Sequence, residues 1–168
     1  MSKKLFILPL FIFGAFLAIT TTSCGDKCKD VECNTGTCLD GTCECGDGFE
    51  GTNCEIEWSA KFTGSYLGAD VVTASTAGTA LGTYNLTSPA VITRKSETVI
   101  SISNFGGFTS FIEATLTSST DVNINYTDPG GRKFVGTATL SGNTLSGNYV
   151  VTFTSDNTTD TANFSYTK

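Results

Sequence analysis

The sequence predicts a mainly β protein in two parts: a small disulfide-rich module, then an antiparallel eight-stranded meander that closes into a barrel in preference to a two-layer sandwich. Three observations carry this. Six of the seven cysteines lie between Cys28 and Cys54. From Trp58 onward there is no cysteine, and serine and threonine make up about a third of the residues, which disfavours long helices. In that same stretch apolar and polar residues alternate at period two between short turn signals. At 168 residues the chain has room for one domain or two small ones. The chain falls into three segments, 1–23, 24–57 and 58–168.

The first segment reads as an address. Ser2, Lys3 and Lys4 form a basic start, and the fifteen residues 5–19 are an apolar run interrupted only by Pro9 and Gly14. A membrane-spanning helix needs about 20 apolar residues, so a short run with a helix-breaking proline is a secretory signal. Thr20, Thr21, Thr22 and Ser23 then lead to Cys24. This segment resembles the lipobox of bacterial lipoproteins, where a small residue precedes the cysteine that receives diacylglycerol and becomes the mature N-terminus. Ser23 fits that place, and Thr21 stands where leucine is usual. Seven cysteines leave one over after three pairs, and lipidation of Cys24 accounts for it. In the lipoproteins it resembles, an Asp directly after the cysteine favours inner-membrane retention; here Gly25 follows and Asp26 comes next, which implies a lipid-anchored place in the outer membrane, at the cell surface. Each buried methylene contributes about 0.8 kcal/mol, so two or three acyl chains suffice for stable anchoring.

Cys28, Cys33, Cys38, Cys43, Cys45 and Cys54 are separated by four, four, four, one and eight residues. Between them the large apolar residues are Val31, Leu39 and Phe49, so burial cannot offset chain entropy and crosslinks must. Six cysteines allow fifteen pairings. The run from Cys43 to Cys54, with Cys-x-Cys, Phe49 after Gly48, and Gly51 before the last cysteine, resembles the C-terminal half of an EGF-like domain. That resemblance covers residues 28–54 and implies the pairs Cys28–Cys38, Cys33–Cys43 and Cys45–Cys54. Export favours oxidation over zinc binding. The acidic arrangement of calcium-binding EGF-like domains is missing before Cys28, where Lys27 and Lys29 oppose a hard cation. No metal and no cofactor are expected.

In the last segment, about eight strands are expected near 61–67, 82–86, 90–94, 98–103, 111–116, 121–126, 133–140 and 144–154, plus a closing one at 162–166. Phe134, Gly136, Ala138 and Leu140 share one face, as do Leu145, Gly147, Tyr149, Val151 and Phe153, and then Ala162, Phe164 and Tyr166. Pro89, Gly106-Gly107, residues 128–131, Gly142-Asn143 and residues 155–157 mark the turns. Short links make sequential strands antiparallel neighbours. The opening around Gly64-Ser65-Tyr66 looks like the first strand of calycin or lipocalin-like barrels, where a Gly-x-Trp sits near the closed end. Tyr66 stands at the Trp position, and the final strand has no arginine to stack on it. Leader, EGF-like module and strand-rich domain together are similar to small surface lipoproteins of gram-negative bacteria, a likeness of architecture that transfers no activity.

An eight-stranded barrel holds either packed side chains or one small ligand. Phe62, Tyr66, Phe108, Tyr149 and Phe153 are the candidate lining of an apolar pocket, and they serve equally as core. The chain contains no histidine, which closes Ser-His-Asp and Cys-His catalysis. Of the seven carboxylates after residue 57, Asp70, Glu97, Asp121, Asp128, Asp156 and Asp160 read mostly as turn residues, and Glu113 as the one mid-strand. A lone carboxylate defines no acid–base chemistry, and the protein is not expected to be an enzyme. The net charge of −6 lacks a basic patch, which excludes nucleic acid. Residues 24–57 hold two bases against nine acids and residues 58–168 six against seven, so the stalk is acidic and the head nearly neutral. The function expected is extracellular binding or adhesion, to a protein or glycan, by a lipid-anchored non-enzymatic display protein. The alternatives are a lipocalin-like carrier of a small apolar ligand and a surface protease inhibitor.

Overall fold

The computed structural model describes residues 27–168; the leader and Cys24 lie outside the described residues. The N-terminal module opens with a hairpin of β1 (Gly36–Leu39) and β2 (Thr42–Cys45), in which Leu39 faces Thr42 across a two-residue turn. Asp40 and Gly41 form that turn with φ of 52° and 87°, the left-handed pair that an Asp-Gly link supplies. A second, two-residue ladder joins β3 (Phe49–Glu50) to β4 (Ile56–Glu57). Three disulfides, Cys28–Cys38, Cys33–Cys43 and Cys45–Cys54, stand in for the core that so few apolar residues cannot make.

From β4 the chain runs directly into a one-turn helix, α1 (Trp58–Phe62), and then into β5 (Gly64–Ser75). A strand was expected over 61–67, and this is corrected at both ends. Trp58 and Phe62 are four residues apart and share one helical face, so the turn forms first and buries Phe62 completely. The strand then continues to Ser75 through a stretch where an inward Asp70 and an outward, exposed Val71 break the apolar alternation that betrays a strand.

The remaining strands are β6 (Gly82–Asn85), β7 (Ala90–Arg94), β8 (Val99–Ser103), β9 (Phe111–Leu116), β10 (Asp121–Thr127), β11 (Arg132–Ser141), β12 (Thr144–Phe153) and β13 (Thr158–Thr167). They form one antiparallel meander, closed because β13 pairs with β5. The ring is eight strands round, since β6 and β7 successively occupy the same edge of β5. Pro89 lies between them, where a residue without an N–H interrupts the ladder.

Three inward-facing glycines make the tight curvature possible. A Cβ on Gly68 would lie 1.9 Å from the Ser165 carbonyl oxygen, one on Gly136 2.1 Å from that of Asn148, and one on Gly147 2.1 Å from that of Thr137. Across the ladder each faces an inward aromatic: Gly68 faces Tyr166, Gly136 faces Tyr149 and Gly147 faces Phe164. The rings fill the space that the missing side chains leave, the device by which small barrels bend without opening voids.

The barrel has a closed and an open end. At the closed end, beside the disulfide module, the Tyr66 hydroxyl donates to the Phe62 carbonyl at 2.7 Å, and the Lys168 ammonium stands 5.3 Å from the Tyr66 ring centre. The module is tied to this end by Trp58 N–H donating to Gly48 O at 2.7 Å, by Lys61 with Glu50 at 2.7 Å and by Arg94 with Glu57 at 2.5 Å. Ile92, Ile100, Ile102, Ile112, Ile124 and Leu145 fill the interior. A 3₁₀ turn (Phe105–Gly107) follows β8 and drives Phe105 into the barrel, fully buried against Phe134, Tyr149, Phe164 and Tyr166.

Candidate functional site

At the open end, away from the module, a cavity of about 320 Å³ lies between β5, β6, the turn after β8, β12 and β13. Val72, Leu86, Phe108, Val151, Phe153 and Ala162 supply its apolar walls, with Tyr84 on the β6 side. On this side of the cavity β6 pairs with β5 and, among the described residues, with no other strand. Phe105 fills the barrel beneath, and Gly106 and Gly107, at φ of 64° and 75°, turn the chain so that Phe108 closes one side.

Phe108 is braced from behind. The Arg132 guanidinium carbon lies 4.5 Å from its ring centre, and that guanidinium is paired to Asp128 at 2.6 Å and donates to the Ser110 hydroxyl at 2.8 Å. Burial alone would raise the Asp128 carboxyl, but hydrogen bonds from Ser110 and from the Arg132 side chain and backbone hold it down to about 2. This cluster locks the 105–110 turn to the β10–β11 hairpin.

Two buried carboxylates face the cavity. Asp70, deep on β5, has the Tyr166 hydroxyl 2.8 Å from both oxygens and the Tyr149 hydroxyl 3.0 Å from Oδ1. Burial raises its pKa while the two tyrosine hydrogen bonds work against the rise. Both tyrosine hydroxyls are pushed upward, first by burial and then by the Asp70 charge. Tyr166 also accepts the Gly106 N–H at 3.1 Å, which couples the floor to the turn that walls the cavity. Asp160, near the rim on β13, is served differently. Its Oδ2 accepts from the Thr79 hydroxyl at 2.7 Å, and its Oδ1 is buried with no hydrogen-bond partner among the described residues.

No family model matches the chain, and no curated protein matches it. Among solved structures it is similar to a protein described as EF1p2_mFAP2b bound to DFHBI, with a TM-score of 0.50 and 13% identity over 66% of this chain and 95% of that one. It also matches a redesigned β barrel, b11L5F_LGL, with a TM-score of 0.45 and 15% identity over 66% of this chain and 93% of that one. The shared property is the β-barrel fold.

Of the five residues expected to line an apolar pocket, the structure brings Phe108, Tyr149 and Phe153 to the cavity. Phe62 and Tyr66 do not belong with them: both are fully buried at the closed end, where α1 and the start of β5 plug the barrel. The carboxylates are also placed differently from expectation. Asp70 and Asp160 sit in strands and point inward, whereas Glu113 lies on the outer side of β9 and pairs with Lys95. A signal for Asp160 was present, since it is in phase with Ala162, Phe164 and Tyr166. Asp70 had none, because a polar residue in the inward phase imitates a loop.

Proposed function

We propose that this protein binds a small, mainly apolar molecule in the cavity at the open end of its barrel. The observation that carries the reading is the cavity itself: an apolar chamber walled by Val72, Phe108, Val151 and Phe153, with buried carboxylates among them. Ligand sites are concave, mostly apolar and furnished with a few placed polar groups. The similar barrel solved bound to DFHBI supports the idea that this fold can hold a ligand. A ligand cavity favours the lipocalin-like carrier over adhesion or protease inhibition. No catalytic role is assigned to any residue.

The finer assignment is a lipoprotein. In this reading Cys24 carries the lipid, the EGF-like module is the spacer, and the barrel is held at the cell surface of the outer membrane. The module joins the barrel's closed end, so the cavity faces away from the bilayer. Nine acids in residues 24–57 are repelled by an anionic membrane surface and favour an upright posture, within the ~10 Å reach that salt allows.

The test is uptake of 1-aminoanthracene, a neutral fluorescent probe, by the mature protein. Saturable blue-shifted emission is expected, and Val72→Phe, which fills the cavity, should abolish it while leaving the fold intact by circular dichroism. Emission unchanged by that substitution, or no uptake at all, would remove the carrier reading. Intact mass of membrane-extracted protein against Cys24→Ala tests the anchor separately.

A further inference from the structure

The cavity wall carries acid without base. Asp70 and Asp160 both line it, and among the described residues neither lysine nor arginine does. Arg132, behind Phe108, is committed to Asp128 and Ser110. Of the two carboxylates, the deeper one takes two tyrosine hydroxyls, whereas Asp160 takes one threonine hydroxyl, on Oδ2. Asp160 is only 7% exposed, yet its Oδ1 has no donor among the described residues. A buried carboxylate demands a compensating cation or a full set of donors, and the described residues supply neither at Oδ1.

Resting on the reading of the cavity as a small-molecule site, we propose that its ligand is an organic ammonium ion with an apolar body. The ammonium pairs with the Asp160 carboxylate, and the body lies against Val72, Phe108, Val151 and Phe153. Three features select this chemistry. A charged donor makes a stronger bond to a carboxylate than a hydroxyl does. Aromatic rings on the wall can add attraction for a cation through their faces. A bare metal ion needs several converging oxygens, whereas the walls are mostly apolar carbon. Thr79 sets the geometry: its hydroxyl holds Oδ2, and its backbone N–H donates to the Ser75 hydroxyl at 3.0 Å, so the carboxylate is fixed at the cavity wall with Oδ1 buried and unpaired among the described residues.

The experiment is calorimetric titration of the mature protein at pH 7 with three matched probes: 2-phenylethylammonium, 2-phenylethanol and 3-phenylpropanoate. The ammonium is expected to bind about tenfold or more tighter than the alcohol, the advantage of a charged over a neutral hydrogen bond, and the carboxylate not to bind. Asp160→Asn should erase the ammonium's advantage and leave the alcohol's affinity within about threefold. The comparison within the wild-type protein needs no variant, so it stands even if Asp160→Asn fails to fold. An alcohol that binds as tightly as the ammonium, or an advantage that survives Asp160→Asn, overturns the cation assignment. If 1-aminoanthracene is taken up while the ammonium is not, the cation assignment falls alone; if neither binds, the carrier reading falls with it.

Discussion

Replacing Tyr166 by Phe removes one oxygen atom and should cost more than most core truncations of that size. The hydroxyl lies 2.8 Å from both oxygens of buried Asp70 and accepts the Gly106 N–H at 3.1 Å. Its loss leaves two groups short of partners. A hydrogen bond to a charged group contributes about 1.5–3 kcal/mol, and a buried donor left unsatisfied costs about 1–3 kcal/mol. Allowing for relaxation around the cavity, the expected destabilisation is about 3 kcal/mol, or about 10 °C in Tm for a domain of this size. Tyr149→Phe is the internal comparison. It removes a single bond to Asp70 at 3.0 Å, and Tyr166 remains, so its cost should be about 1.5 kcal/mol, the low end for a bond to a charged group. Urea unfolding of both variants measures the difference. The Gly106 amide should also exchange faster with solvent in Tyr166→Phe and unchanged in Tyr149→Phe. Equal costs for the two, or a Tyr166→Phe cost below about 0.5 kcal/mol, would refute the claim that this hydroxyl joins the barrel floor to the cavity wall.

Three further outcomes are expected. Gly147→Ala places a methyl 2.1 Å from the Thr137 oxygen and 2.8 Å from the Ala138 Cβ, so it should destabilise the barrel by at least about 3 kcal/mol, read as a lowered urea midpoint. Asp128 has its carboxyl held at about 2 against an ordinary 3.8, so its ionised form favours the folded state. That contribution, about 2 kcal/mol, is complete above pH 4 and lost as pH falls towards 2; in Asp128→Asn, stability should fall less over that window. Reduction with dithiothreitol should unfold the module, whose three short loops each gain about 2–3 kcal/mol from their crosslinks, and spare the cooperative melting of the cysteine-free barrel.

Much of the fold was legible because small barrels advertise themselves. The inward phase of β11, β12 and β13 is written in Phe134, Gly136, Ala138 and Leu140, in Leu145, Gly147, Tyr149 and Val151, and in Ala162, Phe164 and Tyr166, with glycine facing an aromatic on the neighbouring strand. The turns at Asp128, Gly142 and Asp156 fall between strands. Less legible was the start of the barrel. Trp58 and Phe62 announce one helical turn too short to register, and Asp70 breaks the pattern of β5 because it is buried for its tyrosine partners, not exposed. The candidate site was half legible. Phe108, Tyr149 and Phe153 are found from aromatic content, whereas Phe62 and Tyr66 belong to the plug, a distinction that depends on which end of the barrel each strand residue occupies. That Asp160 reaches the same chamber as Phe108 depends on closure of β13 onto β5, a contact between segments about ninety residues apart.

The most direct test of a ligand cavity at the open end is to follow the backbone amide resonances of the protein while 1-aminoanthracene is added. Saturable shifts at Tyr84, Gly106, Gly107, Val151 and Ala162, with Phe62, Tyr66 and Ile100 unmoved, are the predicted result. Shifts gathered at the closed end or spread over the outer face, or no saturable change, would contradict it.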